Sequence, residues 1–400
     1  MKRGDRRGVT APKGFLAAGI ACGIKKRKKD LALIYSEVPA VAVGVLTKNR
    51  LQAAPVLVTQ KHLRFGQVRA IIANSGNANC ATGRRGIEDA HQMANQCAVL
   101  LKLKVKEVLV SSTGVIGRFL HMDAVTQGIQ KIVKELSPKG SHDAAEAILT
   151  TDHTVKETEV EFVLNHMRIH IGGIAKGAGM IAPEMATMLC FLTTDAKVTT
   201  PVLQKALSQL TETTFNAITI DGEMSTNDMV LVLANGEAGN PTIQLGSPEY
   251  HQFYQALEKV MERLAEMIVR DGEGASKFVR IRVSGAKKRE EAKKVAHRIA
   301  NSLLVKTMLH GADPNWGRIV ACVGSSGVAV KMDRVTVTIG QILVFQKGEP
   351  IEHDRGKLKQ VLSHKNIQIS VDLGEGKLDS RVWTTDLSPE YVRINAGYTT

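Results

Sequence analysis

The sequence predicts an α/β protein with its strands gathered into large central sheets. Three observations predict it. Short apolar runs alternate along the whole chain with segments whose apolar residues recur at helical spacing, without repeats or low-complexity stretches. The 400 residues are 44% hydrophobic but only 4% aromatic, so a core large enough for one large domain or two must be mainly aliphatic. Finally, no apolar run approaches the roughly 18–20 residues of a membrane span, and the 23% of charged residues is that of an ordinary soluble globular protein.

Taken in order, LALIY (31–35), VAVGVL (41–46), VRAIIAN (68–74) and VKEVLVSS (105–112) read as strands, short and rich in β-branched residues. From Gly86 to Lys102 the apolar positions Ala90, Met93, Ala94, Cys97, Leu100 and Leu101 fall on one helical face. MRIHIGGIA (167–175) and TMLCFL (187–192) are again strand-like. Thr200–Pro201 and Ser247–Pro248 each offer a capping hydroxyl followed by proline at the first helical position, and the second helix should run to about Arg270. A further helix is predicted over Glu290–Leu304, after the turn SGAKK. The order from about residue 287 (helix, strands, helix, strands) suggests a smaller second unit.

The formal net charge is +14, and residues 1–30 carry ten Lys/Arg against Asp5 and Asp30. KKRKK (25–29) lies between the apolar runs AAGIACGI and DLALIY, so a solvated hairpin turn is preferred over a nucleic-acid patch, and no RNA- or DNA-binding motif occurs elsewhere. The N-terminus has no apolar core of a secretory signal, and strand-like sequence begins too early for a transit peptide. Cys22, Cys80, Cys97, Cys190 and Cys322 form no CxxC pair and sit among small or apolar neighbours, as buried free thiols of a reducing, cytoplasmic compartment would. No nucleic acid and no membrane are expected as partners.

Several chemistries are excluded. The chain has no HExxH, no paired-cysteine metal site, no GxSxG elbow and no GxxxxGK[ST] phosphate loop. Gly177–Ala182 matches the G-x-G-x-x-A dinucleotide pattern, but that pattern needs a helix to begin there, and Pro183 and the strand TMLCFL follow instead.

The stretch KGAGMIAPEMATMLCFLTTDA (176–196) raises a different possibility. A Gly/Pro-rich loop meets a strand at Ala186–Thr187. A threonine hydroxyl can attack the carbonyl of the preceding residue, shift the chain to an ester and, after hydrolysis, become a new N-terminus. Its freed α-amine, with a reference pKa near ~7.7–8, can then take the proton of its own hydroxyl. Small Ala186 limits crowding, the loop exposes the carbonyl, and the strand holds the hydroxyl. An ordinary buried strand threonine is the plain alternative.

This stretch resembles the processing site of the ornithine acetyltransferase (glutamate N-acetyltransferase) family of arginine biosynthesis. The similarity continues in order through PKGFLAAGIACGIK, NRLQAAPVLVTQ, IIANSGNANCATG, SSTGVIG, TTFNAITIDGEMSTND, RDGEGASKFV, HGADPNWGRI and YVRINAGYTT. Small departures are LTKN, where the family usually has a second Thr before the Asn, and NANCATG, with Cys and Ala exchanged; neither touches the chemistry. The resemblance implies a layered α-β-β-α sandwich of the self-processing N-terminal-nucleophile-like type with a smaller α/β second domain. The catalytic domain would be 1–275, cleaved at 186/187 into an α chain of 1–186 and a β chain of 187–400. The second domain, 276–400, would return its C-terminal tail to the active site.

It further implies ping-pong transfer of acetyl from N2-acetylornithine to L-glutamate through acetyl-Thr187, with no cofactor and no metal. Some members also take acetyl from acetyl-CoA to make N-acetylglutamate, and the family assembles as an α2β2 heterotetramer. Thr187 would be the nucleophile, and Thr113 and Gly114 the oxyanion hole. Substrate would meet Thr150, Lys176, Thr187, Glu273, Asn395 and Thr400, with Lys176 suited to a carboxylate and Glu273 to an amine. Thr151, beside Thr150, competes for the same assignment. HGADPNWGR (310–318), with a buried Trp316, and NSGNANCATG (74–83) are assigned to structure, the latter because its Asn/Gly pattern favours left-handed backbone. A self-processing N-terminal-nucleophile amidohydrolase or aminopeptidase, with water as acceptor, is the alternative.

Overall fold

The computed structural model describes residues 8–182 and 188–397. Ala186, Thr187 and Thr400 therefore lie outside the described residues. One eight-stranded sheet contains β1 (Phe15–Ile20), β2 (Leu31–Leu46), β3 (Gln67–Asn77), β4 (Val108–Val115), β5 (Lys156–Leu164), β6 (Met167–Lys176), β7 (Leu189–Thr194) and β8 (Met229–Ala234). Its helices are α1 (Ala54–Leu63), α2 (Gly83–Leu101), α3 (Met122–Ile132), α4 (Ser141–Ala147), α5 (Thr200–Thr213) and α6 (Pro248–Arg270).

Strand β2 explains how the sheet becomes two layers. LALIY and VAVGVL, which read as separate strands, are the two halves of this one 16-residue strand. The first half pairs with β1 and β3, the second with β8, and the register with β3 slips between Tyr35 and Ala40. Pro39, which lacks an N–H, stands in that slip, where a ladder bond is not required. Residue alternation then divides the core. Ile34, Ile71 and Leu109 face Ile174, Phe191 and Leu231 between the two halves of the sheet. Leu33, Ile72 and Val110 face α2 and α3 on one outer side. Ile171, Leu192 and Val232 face α5 and α6 on the other. The result is the α-β-β-α layering, with a mainly aliphatic centre in each interlayer space.

The local signals act as physical chemistry predicts in most places. The N–H of Tyr250 donates to Ser247 Oγ at 3.2 Å at the start of α6, which ends at Arg270. The basic stretch 25–29 does lie in the β1–β2 hairpin connection, where Lys29 pairs with Asp143 and Glu146 at 2.6 and 2.9 Å. Two details differ. Helix α5 begins with Pro201 near its start but without a side-chain cap. The helix expected over 290–304 is broken: Ser302 Oγ accepts from Val305 N–H at 3.3 Å and so starts a new helix inside it.

The second sheet is built by β9 (Phe278–Ala286), β10 (Thr336–Ile339), β11 (Ile342–Gln346), β12 (Glu349–Pro350), β13 (Asn366–Asp372) and β14 (Leu378–Thr385), in the order β12-β11-β10-β13-β9-β14. It carries α7 (Arg289–Ala300), α8 (Leu303–Gly311), α9 (Gly317–Gly324), α10 (Arg355–Ser363) and the terminal α11 (Pro389–Gly397). Its own core includes Ile281, Val295, Met308 and Ile369. Trp316, expected to be buried, packs on Phe345 with ring centroids 5.8 Å apart but is only half-buried, because it sits against the margin of this core and not within it. In the 74–83 loop, Gly76, Asn79, Ala81 and Gly83 all have positive φ, as the Asn/Gly pattern required. All five cysteines are unpaired with one another. No helix among the described residues is long and apolar enough to cross a membrane.

Candidate active site

Parallel β3 and β4 carry Thr113 and Gly114 to the end of one layer, while β6 delivers Lys176 to the edge of the other. There, Lys176 pairs in register with Leu189, and Leu189 with Met229, so the ends of β6, β7 and β8 converge. A cavity of about 380 Å³ opens at this junction. Its lining includes Thr113, Gly114, Thr150, Thr151, Lys176, Glu273 and Asn395. The structure thus brings together every expected site residue that it describes, and it places both Thr150 and Thr151 at the wall.

Each wall has a local reason. Gly114 has φ of +127°, and a Cβ there would come within 2.4 Å of Gly76 carbonyl carbon, so the close approach of β4 to the 74–83 loop needs glycine. Lys176 Nζ donates to Thr113 Oγ1 at 3.5 Å, which joins the expected carboxylate-binding cation to the expected oxyanion group. Glu273 lines the same cavity from the turn after α6. Its N–H donates to Ala178 O at 2.8 Å, and a Cβ on Gly179 would come within 2.4 Å of its carboxylate, so backbone without a side chain forms its floor.

The tail completes the pocket. Ser388 Oγ donates to Gly274 O at 2.6 Å, Tyr391 hydroxyl donates to Asp221 Oδ2 at 3.2 Å, and Asn395 Nδ2 donates to Glu273 Oε2 at 2.8 Å. Asp221 also accepts the N–H groups of Met180 and Ile181 at 2.6 and 2.9 Å. Helix α11 is therefore tied both to the Glu273 turn and to the loop leading toward residue 187. At its base, Asp386 accepts the N–H groups of Ser276 and Lys277 at 2.8 and 2.9 Å and lies 2.8 Å from His310 Nδ1, the one residue of HGADPNWGR drawn toward this region.

Behind the pocket sits a buried charge cluster that sequence reasoning missed. Asp152 Oδ1 accepts from Lys156 Nζ at 2.8 Å and from Gly177 N–H at 2.6 Å, Oδ2 accepts from Thr150 N–H at 3.0 Å, and Lys176 Nζ stands 3.9 Å away. Asp271 Oδ2 accepts from Lys156 at 2.6 Å and from the N–H groups of His153 and Thr154. Burial alone would raise the Asp152 pKa, but the ammonium groups of Lys176 and Lys156 hold it below the usual carboxylate range. Burial lowers the Lys176 pKa, and Asp152 offsets this only in part because it is shared with Lys156. Asp228 is the opposite case. It is fully buried at the start of β8, accepts the N–H of Met188 at 2.9 Å, and is pushed well above the carboxylate range by burial. A carboxyl whose charged form is disfavoured by burial therefore stands against Met188, the residue bonded to Thr187. Also unforeseen at the wall are Ser225 and Asn227, of which Asn227 Nδ2 holds Ala78 O and Ser112 O at 2.6 and 2.9 Å. Their signal was the stretch TTFNAITIDGEMSTND, one of those that resemble the family, to which no site role had been assigned.

No group of three or more His, Cys, Asp or Glu residues able to hold a metal ion occurs among the described residues. Lysine, carboxylate, hydroxyl and backbone groups of this kind suit binding of a zwitterionic amino acid and stabilisation of an oxyanion.

Comparison with known proteins gives a consistent result. The ArgJ family model matches residues 16–400. The arginine biosynthesis bifunctional protein ArgJ of Bacillus anthracis is 47% identical over 393 residues, covering 98% of this chain and 97% of its own. The protein of the same name from Symbiobacterium thermophilum is 46% identical over 396 residues, covering 98% of each. Among solved structures, a chain of arginine biosynthesis bifunctional protein ArgJ from Bacillus halodurans superposes with a TM-score of 0.51 at 44% identity, covering 52% of this chain and 98% of its own.

Proposed function

The chain belongs to the ArgJ family, and we propose that it performs its chemistry in the pocket between Thr113 and Glu273, with Thr187 as nucleophile. It is an acetyltransferase of arginine biosynthesis, moving acetyl between ornithine and glutamate as the family does. The observation that carries the proposed site is convergence. Thr113, Gly114, Thr150, Lys176, Glu273 and Asn395, drawn from five separate stretches of chain, line one cavity.

In this reading the bond Ala186–Thr187 is cleaved autocatalytically, giving fragments 1–186 and 187–400. Support comes from the solved Bacillus halodurans chain, nearly all of which matches 52% of this one, close to the share of residues 187–400. The free amine of Thr187 takes the hydroxyl proton as Oγ attacks the acetyl carbonyl of N2-acetylornithine. The acetyl C–N bond breaks, the proton returns to the leaving amine, and ornithine departs. Thr113 and Gly114 stabilise the intermediate oxyanion, a donor of this type being worth about 3–4 kcal/mol. Glutamate's amine then takes the acetyl group from the threonine ester. Because the acetyl moves between amines of similar basicity, the reaction needs neither cofactor nor metal. The buried Lys176 and helix α11, with Asn395, exclude water that would hydrolyse the ester.

The same pocket would admit acetyl-CoA as a second acetyl donor, in keeping with the word bifunctional in the relatives' names. An α2β2 assembly of the two fragments and a cytoplasmic location complete the reading, the latter supported by five unpaired cysteines. The test is turnover. With N2-acetylornithine and glutamate, N-acetylglutamate and ornithine should appear in equal amounts without acetate, and Thr187→Ala should abolish both. Glutamate-independent release of acetate would instead identify an amidohydrolase.

A further inference from the structure

We propose that Asn395 lets one pocket hold side chains whose ends carry opposite charges. The inference rests on the acetyl-transfer reading above, because that reaction makes the two substrates take turns at the same nucleophile. Both share the α-amino-acid core, so the α-carboxylate of each falls to Lys176 and the α-nitrogen to residue 187. Their far ends then reach equally far along the cavity, but one is an ammonium and the other a carboxylate.

A site made only for ornithine would need a carboxylate there, and Glu273, 7% exposed, lines the same cavity. A carboxylate alone would repel glutamate. Among the described residues, however, the side-chain partner of Glu273 is a neutral amide: Asn395 Nδ2 donates to Oε2 at 2.8 Å, with its second hydrogen on Tyr391 O at 3.0 Å. An amide carries donors and an acceptor on one softly turning torsion. With ornithine bound, the ammonium takes the place of Nδ2 against Glu273, and Asn395 turns its oxygen to the same ammonium. With glutamate bound, Nδ2 keeps one hydrogen on Glu273 and moves the other from Tyr391 O to the substrate carboxylate, so that it stands between the two carboxylates. Asn395 is placed for this because α11 is anchored at both neighbours of the contact, Gly274 by Ser388 and Asp221 by Tyr391. The floor at Gly179 has no side chain to fix the far end to either sign.

The two half-reactions separate the effect. Formation of acetyl-enzyme is followed by quenched-flow mass spectrometry with N2-acetylornithine and, in the reverse sense, with N-acetylglutamate. Glu273→Gln should lower the preference for acetylornithine over acetylglutamate by roughly 30-fold, and Asn395→Asp should raise it by roughly as much, as expected for one hydrogen bond to a charged group. Both substitutions are close to isosteric, and thermal melting of each variant reports its fold independently. If either variant slows both donors by the same factor, the far end is not read by this pair and the proposal is overturned. If the wild-type protein is acetylated by neither donor, the acetyl-transfer reading fails first.

Discussion

Lys156 and Asp271, 115 residues apart in sequence, meet at 2.6 Å with the lysine side chain wholly buried. Together with Asp152 they tie the start of β5, the turn bearing Thr150 and Thr151, the Lys176–Gly177 step and the turn after α6 into one block. Three walls of the pocket thus share a single ammonium. A buried ion set of this kind is poor evidence of net stability, since its desolvation offsets its Coulomb gain, but removing one member leaves the others uncompensated.

Lys156→Met should therefore destabilise the protein by about 3–5 kcal/mol, measured by urea denaturation. If the variant remains folded at low temperature, KM for N2-acetylornithine should rise more than kcat falls, because substrate-binding walls lose their spacing while the acyl-transfer groups remain. An unchanged KM would mean that the cluster supports the fold alone.

Lys176→Met removes the cation beside Thr113 and leaves Asp152 with Lys156 as its remaining ammonium partner. Loss of a charged hydrogen bond to a substrate carboxylate should cost about 2–3 kcal/mol in kcat/KM. The loss should appear with both acetylornithine and glutamate, since both carry the α-carboxylate. Steady-state kinetics with each substrate varied in turn checks this.

Gly114→Ala must relieve a clash in which the new Cβ stands 2.4 Å from the carbonyl carbon of Gly76. At a φ of +127° the new side chain is also strained, by about 1–3 kcal/mol. The expected result is a lower melting temperature together with loss of acetyl-enzyme formation. Gly117→Ala makes a control, since it lies just past the end of β4 with φ of +80° and open space around its Cβ position.

Asp228 gives a pH signature. Its folded pKa is raised above the unfolded value near ~3.9, so above that pH the unfolded chain sheds a proton that the folded chain keeps. Stability is then lost from this group as pH rises toward the folded pKa. Asp228→Asn keeps an oxygen for Met188 N–H and removes the titration. Its stability relative to wild type should be smallest near pH 4 and grow toward neutrality in parallel denaturation series. A difference independent of pH would mean that Asp228 is ionised in the fold.

How much of this was legible in the sequence varies with how local the cause is. Helix α6 was readable because its cap, Ser247, directly precedes the 23 residues that hold its proline and its apolar spacing. The break at Ser302 was not, because the apolar spacing continues across it and only a cap bond to Val305 marks it. The two halves of β2 read as two strands because Pro39 interrupts the pattern, while the pairing that joins them comes from β3 and β8 far along the chain. At the site, Lys176, Glu273 and Asn395 were found through motifs resembling a known family. Asp152, Lys156 and Asp271 were not, because nothing in TTDHTVK or VRDG shows that three charges will be buried against one another.

The central claim is that Thr187 is both the product of self-cleavage and the carrier of the acetyl group. Intact mass spectrometry of the purified protein, before and after N2-acetylornithine, tests it most directly. The account predicts two fragments, 1–186 and 187–400, with the larger gaining one acetyl mass located on Thr187. A single uncut chain that gains no acetyl would contradict it.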